Sequence, residues 1–497
     1  MLLLLSLVTS AAAGKTSSSR VLDVRYTGGS HVAADSVLHA NAAARSARVV
    51  AVTFFLDGRP VGSDTTKPYA LDLTGDVAKP GAHRLRVVAV DSLGRRAASS
   101  TRTLTVTRAR HALVTASPTS GLNHALRELA RGGHVRLLPG VYHLAQVRLG
   151  SGARLSGSGP KTVIVAPAGS YWSLLIVSGT NTRISDLTLD GGGAGAGYGY
   201  GVEIQSGSSD VRVQRVVMRH VRGAGLHAWG AYAEVSIQDS SITSDGTAQA
   251  GVIAGESGSY GKSRDTSVIR CRIRGFKSYG VTFAHAAHGV RDAALNAVAL
   301  DNVISDIDDP NVANGTKEGG IWSGGAEAAI IGNKVARTGW DGIETVGSST
   351  NVTIVRNSVT DTPTGIYVEH ATTSSLISRN TIARVVTGIN VEWLYGGIGS
   401  VANKFIANRI ASAAKTGIFL DVGADRNQVR QNVISVDAGP AIVLQGSSNN
   451  VVQGNRSCSA AAAVVAERVG RWDNGELAHP NGNAISGNTS GGKCVSK

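Results

Sequence analysis

The sequence predicts an all-β chain whose main body is a right-handed parallel β-helix, a single-chain solenoid, preceded by a small β-sandwich. Two markers that repeat in step along the chain, and a composition rich in turn residues, carry that prediction. The 497 residues include 62 Gly, with 5% aromatic and 17% charged residues, a balance that favours short strands and turns over long amphipathic helices. The length suits one small domain followed by one long repetitive one.

The first marker is a strand that opens on glycine. Gly201-Val202-Glu203-Ile204 has equivalents led by Gly225, Gly251, Gly280, Gly320, Gly342, Gly365, Gly388 and Gly417, and Gly342, Gly365 and Gly388 are spaced by 23 residues. The second marker is an asparagine before a short apolar run, at Asn333, Asn357, Asn380, Asn408, Asn432 and Asn455, with intervals of 24, 23, 28, 24 and 23. A period of this length means stacked units, each too small to bury its apolar face alone. Asn tolerates a left-handed backbone at the tight bend between two strands of a coil, and stacked amides can hydrogen-bond from one coil to the next. Cys271, in Ile269-Arg270-Cys271-Arg272-Ile273, falls in the same slot and reads as a buried thiol.

Ahead of the repeats, residues from about Val21 to Thr107 alternate in the strand manner, with turn signals at Asp57-Gly58, Pro80-Gly81 and Leu93-Gly94. That is the pattern of a small antiparallel sandwich. A helical stretch, Leu122–Arg131, follows and is placed to cap the solenoid, which is expected over residues 117–497. At the start, the apolar run Leu2–Val8 and the small residues Ala11-Ala12-Ala13 read as a signal peptide, residues 1–13, too short to span a bilayer. No later segment is apolar enough for a membrane span. The mature chain is therefore expected outside the cytoplasm, secreted or in the cell envelope. Export permits a Cys458–Cys494 disulfide, with Cys271 left over. The formal charge of +14 would favour an anionic partner such as a uronate polymer. Arg is spread along the whole chain, however, which reads as compositional bias. No basic cluster is interleaved with aromatics, so nucleic acid is not an expected partner.

Strand alternation sorts each repeat. In Gly365–Glu369, Ile366 and Val368 face the core while Tyr367 and Glu369 face out. Extended to every coil, this gives two outward columns, one containing Glu203, His227, Trp322, Glu344, Tyr367 and Asn390, the other Trp229, Glu369, Glu392 and Asp421. Neighbouring coils lie ~4.8 Å apart, so these carboxyl groups stand at separations used in glycoside hydrolysis. At one-coil spacing they repel, which raises one pKa or recruits a cation. Hard oxygen ligands would favour Ca²⁺ on Glu369, Glu392 and Asp421. Trp229, Trp322, Trp340 and Trp393 lie on or beside this face, where aromatic rings stack on sugars. The expected catalytic set is Glu344, Glu369, Glu392 and Asp421, with Asp341 and His370 as neighbours. The expected substrate-binding set is Trp229, Trp322, Tyr367, Asn390 and Trp393. A carboxylate column also serves simply as a solvated face that discourages edge association, and the acidic loop with Asp306, Asp308 and Asp309 matches no EF-hand spacing.

The stretch VTFFLDGRPVGSDTTKPYALDL with GAHRLRVVAVDSLGRRAAS resembles bacterial Ig-like modules appended to secreted enzymes. This implies an Ig-like domain over residues 21–107 acting as a spacer or carbohydrate-surface contact. The region from about Ser117 to Gly487, with coils such as GIYVEHATTSSLISRNTI, resembles the right-handed β-helix (pectate-lyase-like) superfamily and its NosD-type repeats. The resemblance implies a substrate cleft on the glycine-strand face and, as partner, an extracellular polysaccharide. Hydrolase, lyase and uronate epimerase chemistries all occur in that superfamily. The chain lacks the Asn-Thr-Asp, Asp-Asp and Gly-His-Gly set of polygalacturonases, the Arg-x-Pro-x-x-Arg of pectate lyases and the Asp-Pro-His-Asp of mannuronan epimerases, so no catalytic residue carries over. A non-catalytic protein that binds glycan or cell surface through the same face is the alternative. A copper-handling role is disfavoured by the two Met and the lack of paired Cys or His.

Overall fold

The computed structural model describes residues 21–73, 78–109, 113–169, 173–192, 199–255, 263–283, 294–307, 319–347, 349–369, 371–392, 399–458 and 464–491. The proposed signal peptide (1–13), Asp308, Asp309, His370, Trp393 and Cys494 lie outside these residues. Both predicted architectures are present. A sandwich of a three-stranded and a six-stranded sheet spans Leu22–Thr107, its core filled by Leu38, Phe54, Leu73, Leu85 and Leu104. A parallel β-helix follows, with one sheet of 17 strands and another of 24. The helix Leu122–Ala130 buries Ala125 and Leu129 against the first coils. In each coil a glycine-led strand is followed by a strand of the 17-stranded sheet, then by the asparagine bend and a third strand.

Close approach explains the glycine marker. A Cβ on Gly342 would lie 2.7 Å from the carbonyl oxygen of Gly365 and 2.2 Å from Val359. The same collision with the next coil recurs down the column, so a larger residue would force the coils apart.

The asparagines form the expected ladder, but the left-handed residue is the one before each of them. Asp301, Arg356, Arg379, Ala407 and Gln431 all have φ between 55° and 59°, and none of the ladder asparagines has positive φ. The physical reason is that the bend turns the chain one residue early so that the amide can point inward. Each amide is then fully used. Asn357 Oδ1 accepts from the backbone N–H (2.9 Å) and Nδ2 (3.0 Å) of Asn333, while Asn357 Nδ2 donates to Ile330 O (2.9 Å) and Asn380 Oδ1 (3.0 Å). Cys271 occupies the same slot, its N–H donating to Asn302 Oδ1 at 2.8 Å. A second ladder, Asn403–Asn427–Asn450–Asn483, runs beside it through backbone N–H to Oδ1 bonds of 2.8 Å. Replacing Asn357 by Leu takes the acceptor from the backbone N–H of Asn333 and the side-chain donor from Ile330 O, and Asn380→Leu does the same to Asn357 N–H and Ile354 O. At about 1–3 kcal/mol for each unsatisfied buried group, the expected loss is about 3 kcal/mol or more. Melting curves that overlay the wild type for both variants would refute a ladder that holds the coils together.

The sandwich is not a spacer. It docks on the outer face of the 17-stranded sheet, where Val50, Ala51 and Val90 form one buried apolar cluster with Ile269, Val298, Leu300, Ala329 and Ile331. Polar bonds surround that cluster. Gln238 exchanges two 2.7 Å hydrogen bonds with the backbone of Ser63, Arg183 Nε donates to Asp72 at 2.8 Å, and Arg96 pairs with Asp301 at 2.7 Å.

Candidate functional site

The strand registers place the first outward column as the alternation predicts. Glu203, His227, Ile253, Thr282, Trp322, Glu344, Tyr367, Asn390 and Phe419 are successive lateral partners along the glycine-led strands. The second column follows through backbone bonds: Glu369 N–H donates to Thr345 O, Glu392 N–H to Val368 O and Asp421 N–H to Val391 O. These side chains point away from the core, yet several are buried: Glu344, Tyr367, Glu369 and Trp322 expose no more than 8% of their surface. Outward orientation therefore did not mean a solvated face here.

A third outward column, formed by the residue before each glycine, holds Ala224, Ala250, Tyr279, Asp341, Thr364, Thr387 and Thr416. The chain bends at the glycine, so the two-residue alternation does not continue through it, and Asp341 stands beside Glu344. The signal was present in the sequence as the residue preceding each repeat glycine. Sequence reasoning left Asp341's orientation open and did not single out Tyr200, Tyr279 or Thr364.

The electrostatics divide the acidic centre. Asp341 is 1% exposed, and neither of its carboxyl oxygens has a hydrogen-bond partner of normal geometry. Burial pushes its pKa well above the usual carboxylate value; the Thr364 hydroxyl opposes this, and the nearby charges of Glu369 and Glu392 add to it. Glu344 is likewise pushed well up, first by burial and then by Asp341 and by its hydrogen bond to Glu369, with the Trp322 indole opposing. Glu392 accepts from the Tyr367 hydroxyl (2.7 Å) and from Asn390 Nδ2 (2.6 Å). Asp421 accepts from Gln445 Nε2 at 3.1 Å, and burial raises its pKa. The structure thus brings Asp341, Glu344, Glu369, Glu392, Tyr367, Asn390 and Trp322 together. Trp229 lies further along the face, its indole donating to Glu203 Oε1 at 3.3 Å. Aromatic residues line the approach: Tyr200 stacks on His227 at 4.3 Å, and Tyr279 and Trp322 lie 6.1 Å apart.

Carboxyl groups whose folded pKa is raised bind more protons in the native than in the unfolded state. Their stabilising contribution is complete below the ordinary carboxylate range and is lost as pH rises from there through the folded pKa. Asp341→Asn should therefore melt above the wild type by a margin that grows with pH across that window. Parallel melting-temperature profiles would refute a proton held at Asp341.

A family model described as "Periplasmic copper-binding protein (NosD)" matches residues 202–393 and 300–490. The chain belongs to the NosD family. A second model, a bacterial Ig domain, matches residues 27–87. No curated protein matches the chain. Similar solved structures include a mannuronan C-5 epimerase A-module of Azotobacter vinelandii, 18% identical, covering 76% of this chain and 94% of that one at a TM-score of 0.47. A family 28 exopolygalacturonase of Yersinia enterocolitica is 11% identical, covering 95% and 99% at 0.46. The surface adhesin PfbA of Streptococcus pneumoniae is 13% identical, covering 71% and 88% at 0.43.

The copper in the NosD description finds no matching donor set among the described residues. Among the described residues no group of three or more His, Cys, Asp or Glu is placed to hold a metal ion. Cys271 is a free thiol but is buried in the ladder, and burial drives its pKa up to about 12. The oxygens of Glu392 are already engaged by Tyr367 and Asn390. Cys458 is disulfide-bonded. Among the described residues no helix is long and apolar enough to cross a membrane.

Proposed function

We propose that this chain is an exported hydrolase that binds a polysaccharide along the glycine-strand face and cleaves a glycosidic bond at the acidic centre. One observation carries the reading. Burial pushes the pKa values of Asp341 and Glu344 well above the usual carboxylate range, beside the carboxyl groups of Glu369 and Glu392 on the next coils. Carboxyl groups whose environments drive their pKa values apart provide an acid and a base on one fold. Asp341 or Glu344 gives its proton to the glycosidic oxygen as the C–O bond breaks. Glu392, oriented by Tyr367 and Asn390, takes a proton from the water that attacks the anomeric carbon. Glu344 and Glu392 stand two coils apart, ~10 Å at the backbone, a spacing that leaves room for that water in an inverting reaction.

Lyase or epimerase chemistry needs a neutralised sugar carboxylate and a base at C5 of the sugar. The absence of Lys and Arg from the described outward columns between Glu203 and Asp421 favours hydrolysis over both. The test is product analysis across a polysaccharide panel. New reducing ends without unsaturated uronate are expected. Unsaturated product would identify a lyase, and tight binding with no product would make the face a non-catalytic glycan-binding surface.

A further inference from the structure

The chain carries 49 Lys and Arg against 35 Asp and Glu, yet this face has the opposite sign. From Glu203 to Asp421 the described outward columns contain six carboxyl groups and no Lys or Arg. Arg148 and Arg468 stand only at the two ends of the stack. The basic residues are placed elsewhere, many in Arg–Asp pairs at the bends, such as Arg215–Asp186 and Arg270–Asp239. Five of the six stand on consecutive coils from Asp341 to Asp421, where a polyuronate would be repelled.

The site also contains acceptors that lack donors. Both oxygens of buried Asp341 are without a hydrogen-bond partner, and so is Oδ1 of Asn390. An ammonium group offers three N–H donors and no acceptor, and its charge would offset the negative charge that the cluster as a whole holds. Trp322 and Tyr367 flank Glu344 in the same column, and an aromatic face beside a carboxylate favours a cation further. A resident metal ion is a poorer occupant, since among the described residues no group is placed to hold one. Hydroxyl groups of a neutral sugar could donate to Asp341 but would leave the clustered charge uncompensated.

We infer that the glycan recognised by this face carries free amino groups, bound as ammonium at the Asp341–Glu344–Glu369–Glu392 centre. The inference rests on the proposal that the face engages a polysaccharide. Its test is isothermal titration of the full chain with three hexamers: β-1,4-linked glucosamine, its N-acetylated counterpart, and galacturonate. The glucosamine hexamer is expected to bind at least about tenfold more tightly than the acetylated one, the worth of one hydrogen bond to a charged group, with galacturonate weakest. Asp341→Asn, and separately Glu369→Gln with Glu392→Gln, should remove the preference, while Asp437→Asn on another surface keeps it. Equal or tighter binding of the acetylated hexamer, or binding of galacturonate in preference, overturns the amino-sugar assignment and leaves a glycan-binding face standing. No binding of any hexamer overturns both.

Discussion

Glu392→Gln, which removes the base, should leave a folded solenoid that has lost most of its turnover, about 10²–10⁴-fold, the usual contribution of a general acid or base. Glu369→Gln, which replaces the carboxyl group hydrogen-bonded to Glu344, should lower turnover as well. Neither change opens a cavity. Gln at 392 can still accept from the Tyr367 hydroxyl, and Gln at 369 can donate its amide to Glu344, to which Glu369 is hydrogen-bonded. The stability cost of such a substitution falls far short of the rate effect. A fold check by thermal melting separates the two, and Asp437→Asn serves as a silent control. Both variants retaining full turnover on a polymer the wild type cleaves would show that the chemistry happens elsewhere on the molecule.

The second large effect concerns the N-terminal domain. A chain lacking residues up to Thr107 uncovers Ile269, Val298, Leu300, Ala329 and Ile331, which the sandwich buries. Fully burying a side chain of the Val, Leu or Ile type is worth about 1.5–3 kcal/mol, so the exposed stripe costs several kcal/mol and presents a sticky apolar patch. Truncation also removes the Ser63 backbone from Gln238 and the Asp72 carboxylate from Arg183. The truncate is expected to self-associate or to melt far below the intact chain in light scattering and thermal unfolding. A monomeric truncate with an unchanged melt would mean that the interface contributes nothing. The resemblance to Ig-like modules implied a spacer, and a spacer would not share a buried apolar cluster with the solenoid.

The interface was in fact written in the sequence. Along the 17-stranded sheet, the later strands Thr353–Val355, Lys404–Ile406 and Gln428–Arg430 carry polar residues on the side away from the core. Val298–Leu300 and Ala329–Ile331 are apolar at every position, the pattern of strands buried on both faces. The coil register was legible because glycine and asparagine each meet a requirement that recurs every turn: a 2.7 Å approach at Gly342 and a fully paired amide at Asn357. The left-handed position was misplaced by one residue because Arg356 and Arg379, which bear the positive φ, are not residue types that signal it. Column membership of Glu344, Tyr367, Glu369 and Glu392 followed from alternation. Their burial did not, since it depends on what surrounds the face rather than on strand parity. Asp341 stayed ambiguous because the glycine bend beside it breaks that parity.

The docked sandwich divides the solenoid into unequal mechanical parts. It bridges consecutive coils from Arg154, 3.7 Å from Asp72, to Glu327, whose carbonyl accepts from Arg48. Those turns are splinted from outside, while the coils beyond are held chiefly by their neighbours. The amide ladder gives the rod a polarity as well, because each ladder asparagine's backbone N–H donates to the Oδ1 of the next coil's asparagine. Among the described residues the last strands end in an open edge, with Ile485, in register with fully buried Val452, left 41% exposed. Local opening costs least at such an edge. The acidic centre sits where the splint stops, at the junction of the stiff half and the half free to breathe.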